Sequence, residues 1–241
     1  MIVAASDRTD RLAAKAALFR LDTATATLTE LARLPVGAGE AYGICLYRQD
    51  GQLYAFNVLK DGTIHQLAID LSGATPTGRV VRTMKLATQS EGCVTDERTH
   101  RLYVGEEDVG VWRFDARPDG ATMPTKIAAA DGYQIVADTE GVAIAAIGPD
   151  NGGYLLVSSQ GDNAYAVYRL SDEAYLGRFR IGAGALGATE ETDGIELAIG
   201  DFGPGYPGGL FIAQDGINPP RAQNFKLVAW DDIAAALGLD R

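Results

Sequence analysis

Residues 91–114 read EGCVTDERTHRLYVGEEDVGVWRF. The apolar runs LYV and VGVWRF have the composition of buried strands, yet Glu106, Glu107 and Asp108 stand side by side between them. Three adjacent carboxylates repel one another unless something offsets their charge.

The opening of this stretch recurs. EGCVTD at Glu91 is matched by EGVAIA at Glu140, DGIELA at Asp193 and YGICLY at Tyr42, with shared glycines Gly43, Gly92, Gly141 and Gly194 spaced by 49, 49 and 53 residues. A recurring period of about 50 residues marks a repeat architecture. Within each period a second apolar run follows (LYAFNV, LYVGEE, YLLVSSQ, LFIAQD), then a third (TIHQLAI, VGVWRF, AYAVYRL, NFKLVAW). Three of the periods add a fourth, GRVVRTMKL, TKIAAA and YLGRFRI. The runs are short, rich in Val, Ile, Leu and Tyr, and bounded by Gly, Asp, Asn or Pro. Four short strands per period of about 50 residues predict an all-β chain of β-propeller blades. At the N-terminus IVAASDR, ALFRL and LTELARL fit second, third and fourth strands without a first, and NFKLVAW near the C-terminus has no fourth after it. The expectation is about four and a half blades and a short C-terminal helix, DDIAAALGL, capped by its aspartates. Open strand edges at both ends offer a route to self-association.

The repeat gives the acidic tripeptide a place. After the second strand the successive periods carry Arg8, Lys60, Glu106–Glu107–Asp108, Gln160–Gly161–Asp162 and Gln214–Asp215. Just before the shared glycine they carry Tyr42, Glu91, Glu140 and Asp193. Equivalent positions of a propeller point to equivalent places about its axis, so these residues are expected to converge. Strand alternation lets only some of the tripeptide face that place, and Glu106 and Asp108 are its less secure members. The donors are oxygens, with no imidazole or thiol in frame, which favours Ca2+ over Zn2+. Arg8, Lys60 and Tyr42 beside such a cluster suit a phosphate ligand. His65 and His100, the only histidines, read as surface or turn residues.

Composition bounds the alternatives. The chain has 241 residues, 46% of them apolar, with 29 glycines and a net charge of -11. That charge argues against a nucleic-acid binder, but an anionic ligand is compatible with it if a bound cation reverses the local field. No apolar run reaches the roughly 20 residues of a membrane-spanning helix, so no membrane partner is expected. The start, MIVAASDRTD, has no signal-peptide pattern and enters a strand almost at once, so the true start is expected to be missing. Cys45 and Cys93 lie in apolar runs and read as buried free thiols in preference to a disulfide or a reactive role.

SEGCVTDERTHRLYVGEEDVGVWRF, ADTEGVAI, GYLLVSSQGDNAYAVY, ETDGIEL, GLFIAQDG and QNFKLVAW together resemble the later blades of the β-propeller phytases, over about residues 2–239. The resemblance implies a single domain over 1–241 of a six-bladed fold, N-terminally incomplete, that uses several calcium ions to hydrolyse phytate and lower inositol phosphates outside the cell or in the periplasm. It implies calcium ligands at Glu91, Glu107, Asp138, Glu140, Gln160 and Asp193, a structural calcium ligand at Asn218, and phosphate contacts from Arg8, Tyr42 and Lys60. Glu107, Asp193, Lys60 and Arg8 are then the expected catalytic residues, acting with a water made nucleophilic by metal. Two departures stand out. The family's early DDPAIW-like and NNVDIR-like motifs have no counterpart, and Gly187 or Ala188 occupies a position where the family places an aspartate, with Glu190 or Glu191 as nearby substitutes. Two other functions fit the acidic cluster: a truncated propeller that only binds calcium or phosphate, and a lactonase-type calcium propeller. The latter has no need of Arg8, Lys60 and Tyr42.

Overall fold

A computed structural model describes residues 1–184 and 186–240. Among the described residues eighteen strands form five sheets, each ordered as in the sequence. The first holds β1 (Ile2–Asp7), β2 (Ala13–Asp22) and β3 (Thr27–Ala38). The second holds β4 (Ala41–Gln49), β5 (Gln52–Leu59), β6 (Thr63–Asp70) and β7 (Thr77–Lys85). The third holds β8 (Ser90–Asp96), β9 (Arg101–Glu106), β10 (Gly110–Asp115) and β11 (Thr125–Ala129). The fourth holds β12 (Thr139–Ala146), β13 (Gly153–Ser159), β14 (Ala164–Arg169) and β15 (Tyr175–Phe179). The fifth holds β16 (Ile195–Ile199), β17 (Gly209–Asp215) and β18 (Asn224–Ala229). These are antiparallel sheets of the propeller-blade type. Their number is five, not the four and a half expected. The first and last sheets have three strands, as their sequences foretold, but each stands as a full sheet and not as a fraction of one.

The chain divides into two compact units, Met1–Leu102 with Phe114–Pro124, and Tyr103–Arg113 with Thr125 onward. In the first, Leu18, Leu34, Leu53, Leu59, Leu67 and Ile69 form the core of the first two sheets. In the second, Leu156, Tyr165, Phe211, Trp230 and Ile233 pack the last two sheets and the helix α1 (Trp230–Leu237) together. Full burial of each such side chain contributes about 1.5–3 kcal/mol. Two of the repeat glycines, Gly43 and Gly141, have a steric reason, whereas a Cβ on Gly194 would meet nothing within 4 Å. A Cβ on Gly43 would lie 1.8 Å from the Glu91 carbonyl oxygen, and one on Gly141 would lie 2.5 Å from that of Asp193. Only glycine lets the first strand of one sheet come so close to the backbone that opens the next.

Two local expectations fail. Cys45 on β4 and Cys93 on β8 form a disulfide, with Cα atoms 5.7 Å apart. Each had looked like a small apolar side chain inside a strand, but β4 and β8 lie side by side and bring the two into register. The aspartates of α1 do not cap it. The cap position is Ala229, with no side-chain hydrogen bond, and Asp231 and Asp232 occupy the first turn, where they complement the helix dipole. Among the described residues no helix is long and apolar enough to cross a membrane.

Candidate active site

The recurring polar residues hold a common place in the first four sheets, while Gln214 and Asp215 lie inside β17 of the fifth. Arg8, Lys60, Glu107 and Gln160 are each the first residue after the second strand of the repeat, following β1, β5, β9 and β13. Tyr42, Glu91 and Glu140 are each the second residue of a first strand, in β4, β8 and β12, and Asp193 lies just ahead of β16.

In the first unit these positions gather cations around an aromatic ring. The Arg8 guanidinium carbon is 4.6 Å from the Tyr42 ring centroid, and Lys60 Nζ is 5.3 Å from it. A ring face attracts both charges. The Tyr42 hydroxyl accepts a hydrogen bond from Gln89 Nε2 at 3.2 Å, and Ser6 Oγ donates to the Tyr42 carbonyl at 2.8 Å. Glu40, which the sequence did not single out, accepts from Arg8 Nε at 3.1 Å and also from Arg8 Nη2. Its own backbone carbonyl accepts the Lys60 N–H at 3.0 Å. That carboxylate raises the Arg8 pKa above its ordinary value, chiefly through the hydrogen bond, and Arg8 in turn lowers that of Glu40. Glu91 belongs to this unit, half-buried on β8 with its backbone against Gly43.

In the second unit the carboxylates gather. Glu107 and Glu140 are buried, at 8% and 5% exposure, and present oxygens within 4.8 Å of each other. Backbone bonds fix them: Thr139 N–H donates to the Glu107 carbonyl at 2.8 Å, and Gly141 N–H to that of Asp193 at 2.6 Å. Asp138 takes its place through its carbonyl, which accepts the Gln160 N–H at 2.9 Å. The Gln160 side chain then reaches Asp193, Nε2 donating to Oδ1 at 2.7 Å. Burial pushes the Asp193 carboxyl above the usual range, and the Gln160 bond partly offsets this. The acidic tripeptide divides as strand alternation requires. Glu107 joins Glu140, Asp108 is exposed, and Glu106, 1% exposed, accepts from Trp112 Nε1 at 2.6 Å.

Asn218 uses its side-chain N–H locally, donating from Nδ2 to the Ala222 carbonyl at 2.9 Å. Near the departed aspartate position, Glu190 N–H donates to Asp215 Oδ1 at 3.1 Å, and the buried Lys226 ammonium sits 2.6 Å from Asp215 Oδ2 and 2.8 Å from Asn224 Oδ1. His65 is half-buried on β6 and bonds Thr83 Oγ1 through Nδ1. His100, in the turn after β8, bonds the Tyr47 hydroxyl.

Residues 1–241 match the family model named Phytase. The chain belongs to the phytase family. Within that family it is 40% identical, over 208 residues, to the 3-phytase of Bacillus subtilis (strain 168), an alignment covering 83% of this chain and 54% of that protein. This phytase-family chain thus spans about half the length of that curated relative. Solved structures share its fold. A nidogen/laminin complex aligns at TM-score 0.52 and 15% identity, over 88% of this chain and 70% of that one. The WD40 domain of Toxoplasma gondii coronin aligns at 0.57 and 11%, over 94% and 53%. At those identities the likeness is of fold alone.

Proposed function

We propose that the chain acts as a phytase: a calcium-dependent phosphomonoester hydrolase that releases phosphate from inositol hexakisphosphate and lower inositol phosphates. The observation that carries this reading is the gathering of Arg8 and Lys60 around Tyr42, within a chain of the phytase family. Two cations and a hydroxyl on neighbouring strands suit phosphate and have no evident task in a lactonase.

The donor chemistry supports several calcium ions. Glu107 and Glu140 are buried carboxylates close enough to repel, and carboxylate oxygens are the donors that calcium takes. We assign Glu91, Glu107, Asp138, Glu140, Gln160 and Asp193 as calcium ligands and Asn218 to a structural calcium. When bound, calcium supplies positive charge that attracts phosphate and makes water nucleophilic near neutral pH.

The chain's own residues supply the rest. Arg8 and Lys60 hold the oxygens of the phosphate under attack and offset charge that grows on them in the transition state. Tyr42 orders both cations and offers its hydroxyl to a neighbouring phosphate. Glu107 and Asp193 anchor the metal side of the reaction, and no Ser, Cys or His nucleophile is required. The disulfide between Cys45 and Cys93 supports an extracellular or periplasmic location.

The test is phosphate release from phytate by the purified chain, first with calcium and then with excess chelator. Release that stops with chelator and resumes with added calcium is expected. A folded, calcium-supplied chain that releases none would overturn the reading.

A further inference from the structure

Glu40 lies two residues before Tyr42, between β3 and β4, outside both recurring positions of the repeat. One of its carboxylate oxygens serves two arginines. It accepts from Arg8 Nε and Nη2, and Arg11 Nε is 3.8 Å away. Its carbonyl holds the Lys60 backbone. The Glu40 side chain is 14% exposed, against 44% for Arg8 and 76% for Arg11. The carboxylate is therefore set inward while the guanidinium groups reach toward solvent.

The edge of a guanidinium formed by Nε and one Nη is one of those that grip a phosphate through two parallel hydrogen bonds. In Arg8 that edge is taken by Glu40. A phosphate arriving at Arg8 must use the remaining N–H groups or displace the carboxylate. In either case it meets a cluster whose positive charge Glu40 has reduced by one.

We propose that Glu40 is a specificity-determining residue of the phosphate site, an internal counter-ion that weakens the hold of Arg8 and Lys60 on a single phosphate. This rests on the assignment of Arg8 and Lys60 to phosphate. A lone phosphate, such as the released product, has little charge with which to compete. A densely phosphorylated substrate can also reach Arg11 and so loses less. Glu40 thereby favours product release over product retention.

The experiment is direct binding of inorganic phosphate to the full chain by calorimetry, for the wild type, Glu40→Gln, Arg8→Ala and the double variant. Glu40→Gln keeps size and a hydrogen-bond acceptor but removes the charge, so the fold should tolerate it. Phosphate should bind Glu40→Gln about fivefold more tightly than wild type, and that gain should vanish in the Arg8→Ala background. As a purely structural support for Arg8, Glu40 would give the opposite sign, since its loss would weaken phosphate binding. Equal or weaker binding by Glu40→Gln, or the same gain with and without Arg8, overturns the proposal. The measurement needs no turnover. A wild type that hydrolyses phytate while Glu40→Gln leaves phosphate affinity unchanged would sink the role of Glu40 alone. A wild type inert toward phytate would sink the phytase reading.

Discussion

Gln160 Nε2 donates to Asp193 Oδ1 at 2.7 Å, joining the turn after β13 to the residue that opens the fifth repeat. Asp193 needs the bond, because burial disfavours its charged form. A carboxyl whose folded pKa is raised lowers stability at pH values above that pKa. The penalty is relieved as pH falls through it toward the unfolded value near 3.8. Asp193→Asn should therefore raise the melting temperature in chelator at pH 7, on the order of 1–2 °C, and lose that advantage below pH 4. It should also abolish most phytate hydrolysis. Thermal unfolding at the two pH values, beside one activity assay, checks both. A destabilised Asp193→Asn at pH 7 would show that the carboxylate serves the fold more than a ligand.

Glu107 and Glu140 set the metal prediction. Two carboxylates buried within 4.8 Å of each other repel, and on the proposed reading a bound calcium would offset that repulsion. Added calcium should raise the melting temperature and chelator should lower it. Glu107→Ala should blunt the calcium response and cut turnover by about 100-fold or more. Near-full turnover in a folded Glu107→Ala protein would remove Glu107 from the reaction.

The disulfide closes a loop between residues 48 apart in sequence, joining β4 to β8. Replacing both cysteines by serine should cost about 2–4 kcal/mol in urea unfolding. Cys45 is three residues from Tyr42 and Cys93 two from Glu91, so loss of the bridge should also raise KM for phytate. Dithiothreitol should reproduce both effects in the wild type and neither in the double variant.

Asp7, the residue before Arg8, gives a second pH test through a separate set of contacts. Its carboxylate accepts the Thr9 N–H at 3.0 Å and pairs with Arg33 Nη1 at 2.8 Å. Hydrogen bonds from Thr9, then Arg33, lower its pKa to about 2. A depressed folded pKa contributes stability that is present above the unfolded value near 3.8 and lost as pH falls through about 2. Because Arg33 is 45% exposed, solvent screens the pair, and Asp7→Asn should cost about 1 kcal/mol at pH 7. Acid titration of unfolding should find the two proteins converging near pH 2.

The repeat was legible because two of its glycines, Gly43 and Gly141, leave no room for a Cβ. With Glu91 carbonyl 1.8 Å from any Cβ on Gly43, sterics write the period into the sequence. The polar positions were legible because the residue that follows the second strand of the repeat keeps its phase through the first four sheets. What was hidden depends on pairing across distance. The Cys45–Cys93 bond follows from which strands neighbour each other, which no apolar run reveals. Glu106 looked like a companion of Glu107, but its partner is Trp112, six residues on, across the turn between β9 and β10. Glu40 sits between strands, outside the repeating phase, so only the folded chain brings it to Arg8.

Tyr42 combines two separable contributions, a ring beneath Arg8 and near Lys60, and a hydroxyl bound to Gln89. Tyr42→Phe keeps the ring and loses the hydroxyl, so KM should rise about two- to fivefold through one lost hydrogen bond. Tyr42→Leu also removes the face on which both cations rest, a further loss of about 0.5–1 kcal/mol for each. Its kcat/KM should fall about tenfold or more below that of Tyr42→Phe. Steady-state kinetics on phytate with saturating calcium separates the two. Equal losses in both variants would mean that the ring does not order Arg8 and Lys60, and that the hydroxyl alone is what Tyr42 brings to the phosphate.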